Sequence, residues 1–180
     1  MRKMRSYKTH FGICLEDKGR TMEYVKKLLQ ETDYLQQMKV LEELEIERRF
    51  CRHGLSHVLD VARIAWIQVL EEGMFHEKET VYLTALLHDM GRIGEYQEGT
   101  PHHEAGIGMA EAYLSQIGYP GEKSKLVLEA IGQHREKEKL NDEFINIIKQ
   151  ADSISRNCFF CEVTKECKWS KERKNTTIVR

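Results

Sequence analysis

The 180-residue chain has room for one domain with a hydrophobic core and is short for two. Its 41% hydrophobic and 32% charged residues exclude a disordered chain, and only 2 prolines and 12 glycines favour long helices over many short strands. Net charge is −1, but residues 1–10 carry +4 through Arg2, Lys3, Arg5 and Lys8, and residues 165–180 carry +4 again, which leaves about −9 between them.

Val61 to Leu70, among the longest apolar runs, is broken by Arg63 and Gln68, so the sequence predicts no transmembrane helix and no membrane partner. The basic N-terminus lacks an apolar stretch and a cleavage signature, and the expected location is the cytoplasm. Basic ends on an acidic middle could touch nucleic acid, but frayed, solvated termini are the simpler reading.

Residues 1–20 have weak periodicity and read as a lead-in to a helical domain over 21–156. Thr21 is placed to cap a helix over 22–30 with Tyr24, Val25, Leu28 and Leu29 as its stripe. Leu35, Met38, Leu41, Leu44 and Ile46 suggest a second helix. Val58, Val61, Ala62, Ala65 and Val69 mark the strongest, over 55–70. A helix over 79–90 should stop at Gly91, taken as a C-terminal glycine. More are expected over 103–117, 121–134 and 142–155, with Gly118-Tyr119-Pro120-Gly121 as a break. No segment alternates as a strand, so the fold class is all-α, one helical bundle. Residues 157–180 remain as a basic, cysteine-containing tail.

Candidate ligands recur along this pattern: His57, the adjacent His88-Asp89, His102 or His103, His134 and Asp152. Imidazole and carboxylate are ordinary ligands of divalent transition metals. His53 and His57, at i and i+4, share one helix face. Asp152 follows the apolar Ile145, Ile147 and Ile148, where a buried carboxylate needs a cation or strong hydrogen bonds. Alone, each has a plainer reading, a hydrogen-bonded core histidine or a capping aspartate. Together, on different helices or turns, they predict a metal site.

The same residues resemble the HD-domain superfamily of metal-dependent phosphohydrolases, whose pattern is H…HD…H…H…D on a helical bundle. Ser56-His57-Val58-Leu59-Asp60 is similar to its first histidine motif. Leu87-His88-Asp89-Met90-Gly91-Arg92 is similar to the HD motif, with arginine where lysine is common. His102-His103-Glu104-Ala105-Gly106, Ile131-Gly132-Gln133-His134 and Gln150-Ala151-Asp152 resemble the rest, over about residues 50–156. The resemblance implies His57, His88, Asp89 and Asp152 on one metal. It implies a second ion with His134 and His102, bridged by Asp89, although four-ligand members hold one ion. His103 is kept as the alternative ligand or a substrate contact.

The implied cofactor is one or two divalent ions of manganese, iron, cobalt, nickel or zinc. The implied reaction is hydrolysis of a nucleotide or another small phosphate ester by metal-activated water. Asp89 and Arg92 are the expected catalytic residues, and Arg92, Arg63, His53 and His103 the expected phosphate contacts. Arg63 and His53 read equally well as an ion-paired surface residue and a packed histidine. A nucleotide sensor without catalysis and a di-iron oxygenase are the alternatives. Five cysteines lie at positions 14, 51, 158, 161 and 167. Cys158, Cys161 and Cys167 suggest a further metal site lacking a fourth ligand, which Cys14, Cys51 or a histidine could supply. The alternative is free thiols packed with Phe159, Phe160 and Trp169.

Overall fold

A computed structural model describes residues 22–135 and 141–179. Among the described residues the chain forms eight α-helices and no strand: α1 (Glu23–Glu31), α2 (Tyr34–Leu44), α3 (Leu55–Glu71), α4 (Lys78–Leu87), α5 (Arg92–Glu98), α6 (His102–Gln116), α7 (Gly121–Gln133) and α8 (Glu143–Ile154). A short 3-10 turn follows at Cys158–Phe160. None of these helices is long and apolar enough to cross a membrane. The basic cluster at residues 1–10, Cys14 and the capping residue Thr21 lie outside the described residues.

The organising helix is α4. Its sequence Lys78-Glu-Thr-Val-Tyr-Leu-Thr-Ala-Leu-Leu87 is apolar nearly all round, and everything from Thr80 to Leu87 except Tyr82 is buried. A helix of that character belongs in the middle of a bundle. One side of it, through Leu83, Leu86 and Leu87, packs with Val25, Leu28, Tyr34, Leu41, Leu114 and Ile131. The other, through Val81 and Ala85, packs with Val61, Ala65 and Val69 of α3 and Phe144, Ile147 and Ile148 of α8. Each sealed leucine contributes about 1.5–3 kcal/mol. Polar ties fix the ends: Glu79 accepts from the Tyr24 and Val25 backbone N–H groups at the start of α1, and the Tyr34 hydroxyl donates to the Leu86 carbonyl at 2.9 Å. Asp142 caps α8 by accepting from the Ile145 N–H.

Two differences from the sequence reading bear on the site. Helix α4 ends at Leu87 rather than Met90, and Gly91 has φ −62°, so it is not a left-handed C-terminal glycine. Its lack of a side chain serves a close approach: a Cβ there would lie 1.9 Å from the His102 carbonyl oxygen and 2.3 Å from the Gly106 nitrogen on α6. The short helix α5 was also not anticipated; it docks through buried Ile93.

Beyond α8 the chain turns back. Asn175 donates to the carbonyls of Ser153 at 2.9 Å and Arg156 at 2.8 Å, and Lys174 donates to the Thr164 carbonyl. No residue from 157 to 179 is buried.

Candidate metal centre

Every candidate ligand sits at a helix end. His57 is in the first turn of α3, His88 and Asp89 follow the last residue of α4, His102 opens α6, His134 follows α7, and Asp152 is in the last turn of α8. These ends meet at one end of the bundle. Ligand atoms of His57, His88, Asp89 and Asp152 lie within 4.8 Å of one another, as do those of Asp89, His102 and His134, so Asp89 belongs to both groups. The His57 Nε2 is 3.2 Å from Asp152 Oδ1 and 3.5 Å from Asp89 Oδ2, and the His88 Nε2 is 3.0 Å from Asp89 Oδ2.

The rings are oriented from behind. His88 Nδ1 lies 2.6 Å from the Ala85 carbonyl and His134 Nδ1 lies 2.6 Å from the Ile131 carbonyl. A carbonyl only accepts, so both Nδ1 atoms carry a proton and both Nε2 atoms face inward. The Nε2 atoms of His88, His102 and His134, together with Asp89 Oδ2, are buried without a hydrogen-bond partner. Four unpartnered buried atoms of ligand type, in two groups that share a carboxylate, are costly unless a proton or a cation satisfies them. The donor set therefore fits one or two transition-metal ions.

Charge supports the same fit. Burial would raise Asp89, but His88 and Arg92 beside it hold its carboxyl well below the usual range. Burial lowers His134 to about 4, and burial with Arg92 nearby lowers His102, so both are neutral imidazoles at pH 7, the form that ligates. Arg92 donates from Nε to Asp89 Oδ1 at 2.7 Å and lies 3.4 Å from Glu95.

The remaining expected site residues divide. His53 is buried beside His57, but its Nδ1 is held 2.5 Å from Glu45, whose other oxygen accepts the His53 backbone N–H. Burial lowers His53 to about 4, so a neutral ring donates to the carboxylate. Arg63 is outside the cluster: its side chain is 61% exposed and 3.8 Å from Asp60. His103 is not in either ligand group: it is partly exposed, 3.9 Å from Glu104, with its ring centroid 5.9 Å from that of His102. Cys158, Cys161 and Cys167 are free and part-exposed beside a neighbouring cavity.

Sequence reasoning missed Glu45, Glu95, Ser155 and Arg156. Ser155 lies 3.2 Å from His57 Nδ1, and Glu95 3.2 Å from His102 Nδ1. Arg156 donates to His57 Nε2 at 2.9 Å and to Asp152 Oδ1 at 3.0 Å. Its i, i+4 spacing from Asp152 was the available signal. Glu45 stands among several glutamates, and nothing local distinguishes it.

Comparison with known proteins adds the family. The HD domain model matches residues 54–157, the span that carries all six candidate ligands. This chain belongs to the HD-domain family. An uncharacterized protein of Clostridium beijerinckii is 38% identical over 151 residues, covering 84% of this chain and 95% of its relative. Ribonuclease Y of Oleidesulfovibrio alaskensis is 29% identical over 118 residues, 66% of this chain. The HD-domain chain spans only 21% of that enzyme's length. The crystal structure of a predicted HD superfamily hydrolase from an uncultured Thermotogales bacterium has the same fold, with a TM-score of 0.56 over 81% of this chain and 84% of its own at 22% identity.

Proposed function

We propose that this HD-domain protein is a divalent-metal-dependent phosphohydrolase acting on a nucleotide or another small phosphate ester. The observation that carries this reading is the set of four buried, unpartnered atoms of ligand type on His88, Asp89, His102 and His134. The hydrolase named among its structural neighbours and the phosphodiester chemistry in the name ribonuclease Y support the reaction class. A bound divalent ion supplies a Lewis acid and lowers the pKa of water toward neutrality.

The chain's own groups would do the rest. His57, His88, Asp89 and Asp152 would hold one ion, and Asp89, His102 and His134 a second. Arg92 fixes the Asp89 carboxylate through its Nε, and its buried charge adds positive potential where phosphoryl charge develops. Arg156 donates to the same His57 Nε2 that would ligate the ion, so metal loading displaces that hydrogen bond. The freed guanidinium, at the more open Asp152 edge, is placed to take a phosphoryl oxygen.

The test is a hydrolysis screen of the manganese-loaded protein against nucleotides, small phosphate mono- and diesters, and single-stranded RNA. Release of phosphate or nucleotide from small esters, lost in Asp89→Ala, is the expected result. A second reading, cleavage of RNA phosphodiesters, is favoured by the ribonuclease Y match. It is the answer if RNA alone is cut. Saturable nucleotide binding with no turnover would instead make the protein a sensor.

A further inference from the structure

We propose that Cys51, Cys158, Cys161 and Cys167 together hold a cuboidal 4Fe–4S cluster that fastens the C-terminal segment to the helical body. Cys51 lies in the loop between α2 and α3, and the other three lie past α8. All four are free thiols of intermediate burial on the wall of one cavity of about 530 Å3. Cys158 and Cys167 are near enough to Cys51 to act on its thiol electrostatically. Cys51 thus supplies the fourth ligand that the C-terminal trio lacks.

The need for a fastening comes from the segment itself. Residues 157–179 follow a defined path, yet none is buried. Polar ties, including Asn175 to Ser153 and Arg156 and Arg49 to Glu166, and a shallow groove that Phe159, Ile178 and Val179 share with Ile64 and Ile67 supply the ordering from ordinary contacts. Chain lengths without an apolar core are ordered in other proteins by disulfides or metals.

Three simpler roles fit less well. The thiols are not packed under the phenylalanines, because Phe160 is 85% exposed and Phe159, 49% exposed, lines a different groove. No disulfide joins them. A single zinc with Zn–S near 2.3 Å requires its sulfurs about 3.8 Å apart, whereas among the described residues no three cysteine sulfurs lie within 4.8 Å of one another. A cluster carries its own iron and sulfide between the thiolates and holds them farther apart. Arg49, Arg52 and Arg156 on the same cavity wall oppose the net charge of about −2 that four thiolates give such a cluster. In assembly, four Sγ–Fe bonds form and four thiol protons pass to solvent. Two ferrous and two ferric ions and four inorganic sulfides are supplied from solution, which gives the 2+ core with no further electron transfer.

The experiment is anaerobic purification of the full chain, followed by iron, zinc and acid-labile sulfide analysis and visible absorption. Sulfide distinguishes this centre from iron at the His/Asp site, which contains none. The expected result is about four sulfides per chain, with broad sulfide-to-iron absorption. Both should survive in Asp89→Ala and vanish in Cys158→Ser and Cys51→Ser. Circular dichroism should show the helices unchanged in the cysteine variants. No sulfide in the wild-type chain, even after reconstitution with iron and sulfide, overturns the proposal. So does one thiolate-bound zinc per chain without sulfide, or a disulfide among these cysteines in freshly prepared protein.

Discussion

In the helical body Leu83, Leu86, Leu87 and Met90 are sealed from solvent, whereas the segment over residues 157–179 has no buried residue. The first region is ordered by apolar burial, and its candidate ligands lie at the ends of the helices so packed. The second depends on a few hydrogen bonds and on whatever its cysteines bind. Metal therefore has two different relations to the fold. At the His/Asp site it would complete a geometry that packing has built, and along the C-terminal segment it would build the geometry.

The sharpest test of that contrast is Asp89→Ala. Because Asp89 serves both ligand groups, metal content should drop and hydrolysis should fall by at least about a hundredfold, while circular dichroism shows unchanged helix. A loss of helix would mean that the body also needs metal to fold. Leu86→Ala should lower the unfolding free energy by about 2–5 kcal/mol, read in denaturant titration, and move the whole body at once. Asn175→Ala removes two hydrogen bonds to the end of α8, so about 1–3 kcal/mol is expected locally. Limited proteolysis should then cleave the segment faster with the global midpoint little changed. If the midpoint falls as far as in Leu86→Ala, the two regions are one cooperative unit.

The smallest effect concerns pH. His53 titrates near 4 when folded, against an unperturbed value near 6.5. The unfolded chain binds the extra proton between these values, so this histidine's share of stability is full above about 6.5 and is lost as pH falls toward 4. Comparing denaturation midpoints of wild type and His53→Gln across that window checks the sign. The variant should show a shallower acid loss.

The long helices were legible because their apolar residues recur at the helical period, as in Val58, Val61, Ala65 and Val69. That the candidate ligands would lie together was legible because six residues of metal-binding type occur in family order. Helix α5 was not, since Arg-Ile-Gly-Glu-Tyr-Gln-Glu has no stripe and is helical only where Ile93 docks. Arg63 shows the limit of spacing: six residues after His57 it lies roughly 120° around the helix, away from the ligands. Glu45 has no local signature, because its burial is created by the His53 amide and ring eight residues later. The cysteine trio was visible as a cluster, but only the return of the chain past α8 sets Cys51 opposite it.

Gly91 acts as a gauge. With nothing beyond its Cα, the HD turn rests directly on the backbone of α6, and that contact sets how far His102 stands from Asp89. Any side chain at this point would wedge the two apart, because the atoms in the way are main chain and cannot rotate aside. The separation between the two ligand groups is thus inscribed in the absence of a single methyl group. If both groups hold an ion, Gly91→Ala should disable the Asp89–His102–His134 group before it touches the other, which metal stoichiometry would register as a fall from two ions to one.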